Sequence, residues 1–113
     1  MFIDDEARLR HMRDAAKDAL SFVENKTRNT LDTERMLTLS LVKCIEIIGE
    51  AASRVSKQRQ AEHPQIPWSK IVGMRNRLIH AYFDIELDIV WDTVTQALPP
   101  LLDQLETIIG RED

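Results

Sequence analysis

The sequence predicts an all-α fold, an antiparallel bundle of four helices, or five if a proline pair divides the last. Three observations predict it. Apolar residues recur at steps of three and four along most of the chain, the spacing of one helix face. Only three glycines and four prolines occur, too few to punctuate a turn-rich β protein. No stretch alternates apolar and polar residues as a half-buried strand does. At 113 residues the chain is long enough for one domain with one core, so residues 1–113 are read as a single unit.

The first helix is expected after Asp4, a good N-cap, with Asp5 and Glu6 in its first turn where the helix dipole favours anions. It runs to about Val23, with Met12, Ala15, Ala16, Ala19, Phe22 and Val23 on one apolar face. Glu24 to Thr30 is polar and reads as a loop. The second helix begins after Thr30 or Asp32 and reaches about Val55. Its stripe is Leu37, Leu41, Ile45, Ile48, Ala52 and Val55, and Met36, Leu39, Val42 and Ile47 widen it. A helix apolar on two sides is buried on two sides. One side faces the core, and the other suits a partner subunit. Gly49, Ala51, Ala52 and Ser53 are small enough to let another helix come close.

Ser56 to Pro67 is charged and then proline-punctuated, with Pro67 near the start of a third helix that ends around His80 to Phe83. The last segment, about Ile85 to Ile109, keeps its apolar phase through Leu87, Val90, Val94, Leu98, Leu101, Leu105 and Ile108. Pro99 and Pro100 interrupt it, so a kinked helix, or two helices laid end to end, is expected.

Fifteen basic against nineteen acidic residues leave a net charge of −4. Such a chain lacks the overall basic field of a non-specific nucleic-acid binder, so any RNA contact must come from a local basic patch. Cys44, the single cysteine, lies in an apolar stretch and reads as a small buried hydrophobe. The acidic opening Met1–Glu6 lacks the order of a secretion signal, and no apolar run approaches a membrane span. A cytoplasmic protein with no membrane contact is expected.

The chemistry concentrates in Lys70–Phe83. Arg75, Asn76, Arg77, His80 and Tyr82 crowd one predicted helix and its exit. Arginine grips phosphate through a planar fork of donors, and histidine moves protons near neutral pH. Arg75 and His80 are five apart, about 140° around an ideal helix, so a straight helix does not present them together. Asn76 and His80, four apart, share a face. A chain that turns at the helix end, or a two-fold dimer, would unite arginine and histidine. Spacing alone favours the plainer role of cations at a helix C-terminus. Tyr82 and Phe83, and Trp68 and Trp91, read first as packing. Glu50 lies four before Arg54, a favourable helix pair, with a second role behind an active-site arginine held open. Arg54, Lys57 and Arg59 read as solvated surface, or as the rim of a phosphate-binding groove. His11 and His63 have no partners at metal-ligand spacing, so neither metal nor cofactor is expected.

The string Arg75-Asn76-Arg77-Leu78-Ile79-His80 resembles the arginine, polar residue, three spacers and histidine of HEPN domains. Ala81-Tyr82 completes the extended form found in HepT-like toxins. Ile48–Ala52, His63–Trp68, Ile71–Asn76 and Leu98–Leu102 are similar to that family too, and the full string from Ile66 to Phe83 outweighs the plainer reading of Arg75 and His80. Ala81 stands where a glycine is common, a mild departure.

The resemblance implies an all-helical HEPN-type homodimer, the toxin of a toxin–antitoxin pair, whose cleft holds the motif of both chains. The implied activity is metal-independent RNA endonuclease. The implied partner is a minimal nucleotidyltransferase antitoxin that neutralises the toxin by adenylylating Tyr82. Arg75, Asn76 and His80 are the expected catalytic residues, with Arg77, Arg54 and Lys57 as candidate phosphate or RNA contacts. A rival reading is a non-catalytic nucleotide-binding or scaffolding subunit of a nucleotidyltransferase complex. A plain helical dimerisation module is a third.

Overall fold

A computed structural model describes residues 4–81 and 84–110. The protein is an all-α bundle with one short two-stranded ribbon. Three long helical rods carry it: α1 (Asp5–Phe22), α3 (Arg35–Arg54), and the rod formed by α7 (Leu87–Asp92), a π-helical turn (Thr93–Ala97) and α8 (Leu98–Gly110). Between them lie the short helices α2 (Thr30–Thr33), α4 (Lys57–Ala61), α5 (Trp68–Val72) and α6 (Met74–Leu78), then strands β1 (Ile79–Ala81) and β2 (Asp84–Ile85).

α1 starts where expected. The Asp4 carboxylate accepts the Ala7 N–H at 2.9 Å, satisfying one of the free donors of the first turn. Leu9, Met12, Ala15, Ala16 and Ala19 are buried against α3 and α8. Phe22, expected on that face, is 40% exposed because it is the last residue of the helix. α3 is buried along Leu41, Val42, Ile45, Ile48 and Ala52, with Cys44 among them. Burial raises the Cys44 thiol's pKa, and the nearby Asp18 charge adds to it, so it behaves as an inert apolar residue. The second apolar set of α3 divides: Val42 is buried, whereas Met36 is 85%, Leu39 45% and Ile47 38% exposed.

The proline pair does not split the last helix. The π turn just before it widens the backbone, and the Leu98 N–H reaches back to the Thr93 carbonyl. A wider turn gives the ring of a following proline room against the preceding carbonyls. Val90, Val94, Leu98, Leu101 and Leu105 stay buried throughout, so the apolar phase survives.

The third helix differs from its expected form. It is broken at Gly73 into α5 and α6 and stops at Leu78, because Ile79 turns extended at φ −127°, ψ 114°. β1 and β2 then pair antiparallel, and Glu86 N–H donates to Leu78 O at 2.7 Å. Ile79 faces Ile85 across this ladder, a β-branched pair suited to a strand and less so to a helix. α4 is a further element beyond those expected. Ser56 caps it, accepting the Arg59 N–H at 3.1 Å. Among the described residues no helix is long and apolar enough to cross a membrane.

Candidate active site

Gly49 sets how the site is built. A Cβ there would stand 3.3 Å from the Ile71 carbonyl oxygen and 3.5 Å from that of Val72. The bare glycine therefore lets the end of α5 rest on the backbone of α3. That close approach lays α6 beside α3 and carries Arg75 toward Glu46, with Nε 3.6 Å from Oε2. A cleft of about 430 Å³ opens here, walled by Arg8 and His11 of α1, Lys43, Glu46, Ile47 and Glu50 of α3, and Val72, Arg75 and Asn76.

The electrostatics of this cleft differ from those of the chain as a whole. Arg8 and Lys43 have no ionic partner among the described residues. Glu50 is engaged by Arg54 at 3.0 Å, the favourable pair one helical turn apart. The carboxylate beside Arg75 is Glu46, one turn before Glu50. Three cations thus meet one carboxylate and one neutralised pair, a basic pocket in a protein of net charge −4. Its walls are open, and the Arg75 side chain is 48% exposed, so an incoming phosphate can reach the guanidinium.

His80 lies just past α6, in β1. Ile79 pairs with Ile85 and Ala81 with Asp84, so His80 is the extra residue of a β-bulge. Bulges recur next to active sites. Because α6 ends at Leu78, Asn76 and His80 are not neighbours on one helix face, and the helical angle between Arg75 and His80 does not apply. Tyr82, the expected adenylylation site, lies outside the described residues.

The remaining candidates separate. Arg77 points away from Arg75 and lines a different cleft, between α5–α6 and α8. Arg54 is held by Glu50, and Lys57 opens α4 beside a groove with Gln60 and Trp68. Arg59 is structural, bonded to Glu6 and Glu62 at 2.9 Å each. Trp68 packs as expected, its Nε1–H shared between the Gln60 and His63 carbonyls. Sequence reasoning did not find Arg8, His11, Lys43 or Glu46 in the site. Lys43, Glu46 and Glu50 form a polar edge at steps of three and four on an otherwise apolar helix, which was the available signal. Among the described residues no three His, Cys, Asp or Glu side chains gather as a metal site would require.

A family model described as "Ribonuclease HepT-like" matches residues 12–108. The chain belongs to this family. Among similar proteins, "Putative RNase TTE0752" of Caldanaerobacter subterraneus subsp. tengcongensis is 39% identical over 77 residues, covering 68% of this chain and 69% of that one. "Putative RNase MJ1380" of Methanocaldococcus jannaschii is 30% identical over 105 residues, covering 93% and 96%. "Probable ribonuclease HepT" of Thermococcus cleftensis is 30% identical over 95 residues, covering 80% and 86%. No solved structure gives a significant match. Within this HepT-like chain the match takes in all of the cleft except Arg8 and His11, which precede residue 12.

Proposed function

We propose that this chain is a metal-independent endoribonuclease, the toxin of a toxin–antitoxin pair, acting as a homodimer. One observation carries the reading. Arg75 and Asn76 open into a basic cleft, two further cations there have no ionic partner among the described residues, and the chain as a whole is acidic. The family, and the names of its members as ribonucleases, support RNA as the substrate.

RNA carries its own nucleophile. The 2′-oxygen attacks the adjacent phosphorus, the bond to the 5′-oxygen breaks, and a 2′,3′-cyclic phosphate remains. One group must take the 2′-hydroxyl proton and another must give a proton to the departing 5′-oxygen. His80 of one protomer takes one role and His80 of the second the other. Arg75 stabilises charge on the non-bridging oxygens, and Asn76 orients the phosphate or the imidazole. The exposed apolar side chains Met36, Leu39, Ile47 and Val72 support the dimer, because Ile47 and Val72 line the cleft and a second copy would cover all four. A nucleotidyltransferase antitoxin neutralises the enzyme by transferring AMP from ATP to the hydroxyl of Tyr82, two residues past His80, with pyrophosphate leaving. The added anionic phosphate competes for the same cations.

The test is direct. The purified protein, in the presence of a chelator, is expected to cut single-stranded RNA to products ending in a 2′,3′-cyclic phosphate and to leave DNA of the same sequence intact. Expression without the antitoxin is expected to arrest growth, and His80→Ala to relieve the arrest. Growth arrest that persists in His80→Ala would overturn catalysis and favour the non-catalytic nucleotide-binding subunit.

A further inference from the structure

The proposed chemistry leaves the second cleft unused. It holds about 380 Å³ between α5–α6 and the start of α8, within the size of small-ligand sites. Its floor is apolar: Ile71, Met74, Leu98 and Leu101 are each at most 4% exposed. Pro67, Ala97 and Pro100 present exposed apolar faces at the rim. Two cations, Lys70 and Arg77, stand over it, neither has an ionic partner among the described residues, and no carboxylate among them lines it. Gln65 and Gln104 supply amide donors and acceptors at the edge, and Gln104 Nε2 donates to the Gln65 carbonyl at 3.3 Å, fixing that wall.

We infer that this cleft takes one nucleotide, with its base on the proline-flanked apolar rim and its phosphate between Lys70 and Arg77. A flat apolar body joined to an anion is the shape and charge the cleft complements, and the amides at the edge suit the polar rim of a base. Arg77 follows Arg75 by two residues, about 200° around a helix. α6 therefore stands as a wall with a phosphate-gripping arginine on each side. A strand held at Arg75 can cross the end of this wall and set a neighbouring nucleotide on the second cleft. Resting on the ribonuclease reading, the cleft is then an accessory subsite for the RNA substrate. The same chemistry would accept a free mononucleotide, and the experiment separates the two sources.

Four methionines occur in the chain, so methyl-labelled methionine gives a sparse spectrum in which Met74 reports the second cleft and Met36 a distant face. The protein, with His80→Ala introduced to prevent cleavage and Arg75 left in place to hold the strand, is titrated with a ten-nucleotide single-stranded RNA and, separately, with AMP. The RNA is expected to move the Met74 signal at a concentration at least tenfold below that of AMP. Lys70→Ala/Arg77→Ala is expected to weaken RNA binding at least tenfold. It should also reduce the salt slope of binding by about 0.7, the value for one phosphate of a single strand no longer neutralised. Both positions are exposed, and an unchanged melting temperature verifies folding. A Met74 signal moved by AMP alone assigns the cleft to a free nucleotide and overturns the accessory RNA subsite. A Met74 signal unmoved by either, or RNA binding unchanged in the double variant, overturns the nucleotide site altogether. Wild-type protein that leaves RNA uncut while Met74 still responds would refute the nuclease and leave the cleft standing.

Discussion

Arg75 is held without being locked. Its Nε stands 3.6 Å from Glu46, and both side chains are substantially exposed. Exposed pairs of this kind contribute roughly 0.2–1 kcal/mol, whereas a forked bond to phosphate is stronger and directional. Glu46 thus parks the guanidinium over the cleft, and on the proposed reading an incoming phosphate displaces it. If the fork stabilises the crowded phosphorus, Arg75→Lys keeps the charge and loses the function. We expect kcat for RNA cleavage to fall by about 10²-fold, while stability in urea stays within about 0.5 kcal/mol of wild type. Single-turnover cleavage and urea unfolding check it, and a variant with full activity would show that charge alone suffices. Arg75 and Asn76, which the structure places on the cleft, could be named as candidates from the sequence because the motif is local. Glu46, Lys43 and Arg8 could not, because they come from other helices and meet Arg75 only through the close approach at Gly49. The separation of Arg75 from Arg77 follows from helical angle alone, yet which cleft each would line depended on where α3 and α8 pack.

α1, α3 and the last rod were readable because each keeps a helical apolar phase long enough to fix its face. α4 and the ribbon were not. Five residues with no buried side chain, and strands of three and two residues, leave no periodicity to read, and tertiary bonds hold them in place. At the head of α4, the Ser56 N–H and hydroxyl donate to the two Asp5 oxygens at 2.9 and 2.6 Å, joining α4 to α1. These bonds, the hydroxyl first, hold the Asp5 carboxyl below its ordinary pKa of 3.8. A carboxyl whose pKa is lower in the folded than in the unfolded state binds fewer protons when folded. Its contribution is complete above about pH 4 and is lost as pH falls through the lowered value. Ser56→Ala removes the hydroxyl that both bonds Asp5 and caps α4, and leaves the backbone N–H bond to Asp5 in place. It is expected to cost about 1 kcal/mol at pH 7, with the difference from wild type narrowing at pH values below the lowered pKa. Urea unfolding at pH 7 and at the acid end measures both. A penalty that does not shrink in acid would mean the cap alone matters and the bond to Asp5 does not.

At the scale of the whole molecule, the question is what covers the outer face of α3. Met36, Leu39 and Ile47 point outward from the helix that walls the cleft, and Val72 continues the patch onto α5. A lone protomer gains nothing from large apolar groups in water, where each buried side chain of this size would contribute about 1.5–3 kcal/mol. An interface between two copies, symmetric about a two-fold axis, would cover this patch on both and bring their clefts together. Met36 and Leu39 do not line the cleft, so they report on assembly without touching RNA. Wild type is expected to sediment as a dimer and Met36→Glu/Leu39→Glu as a monomer. The monomer should still unfold in one cooperative transition, since exposed substitutions cost an isolated protomer within about 0.5 kcal/mol each, and its melting temperature should fall only by what assembly contributed. RNA cleavage should fall at least tenfold, because the second His80 is then absent. A double variant that remains dimeric would place the interface elsewhere, and a monomer that still cuts RNA would show that one protomer holds every group the reaction needs.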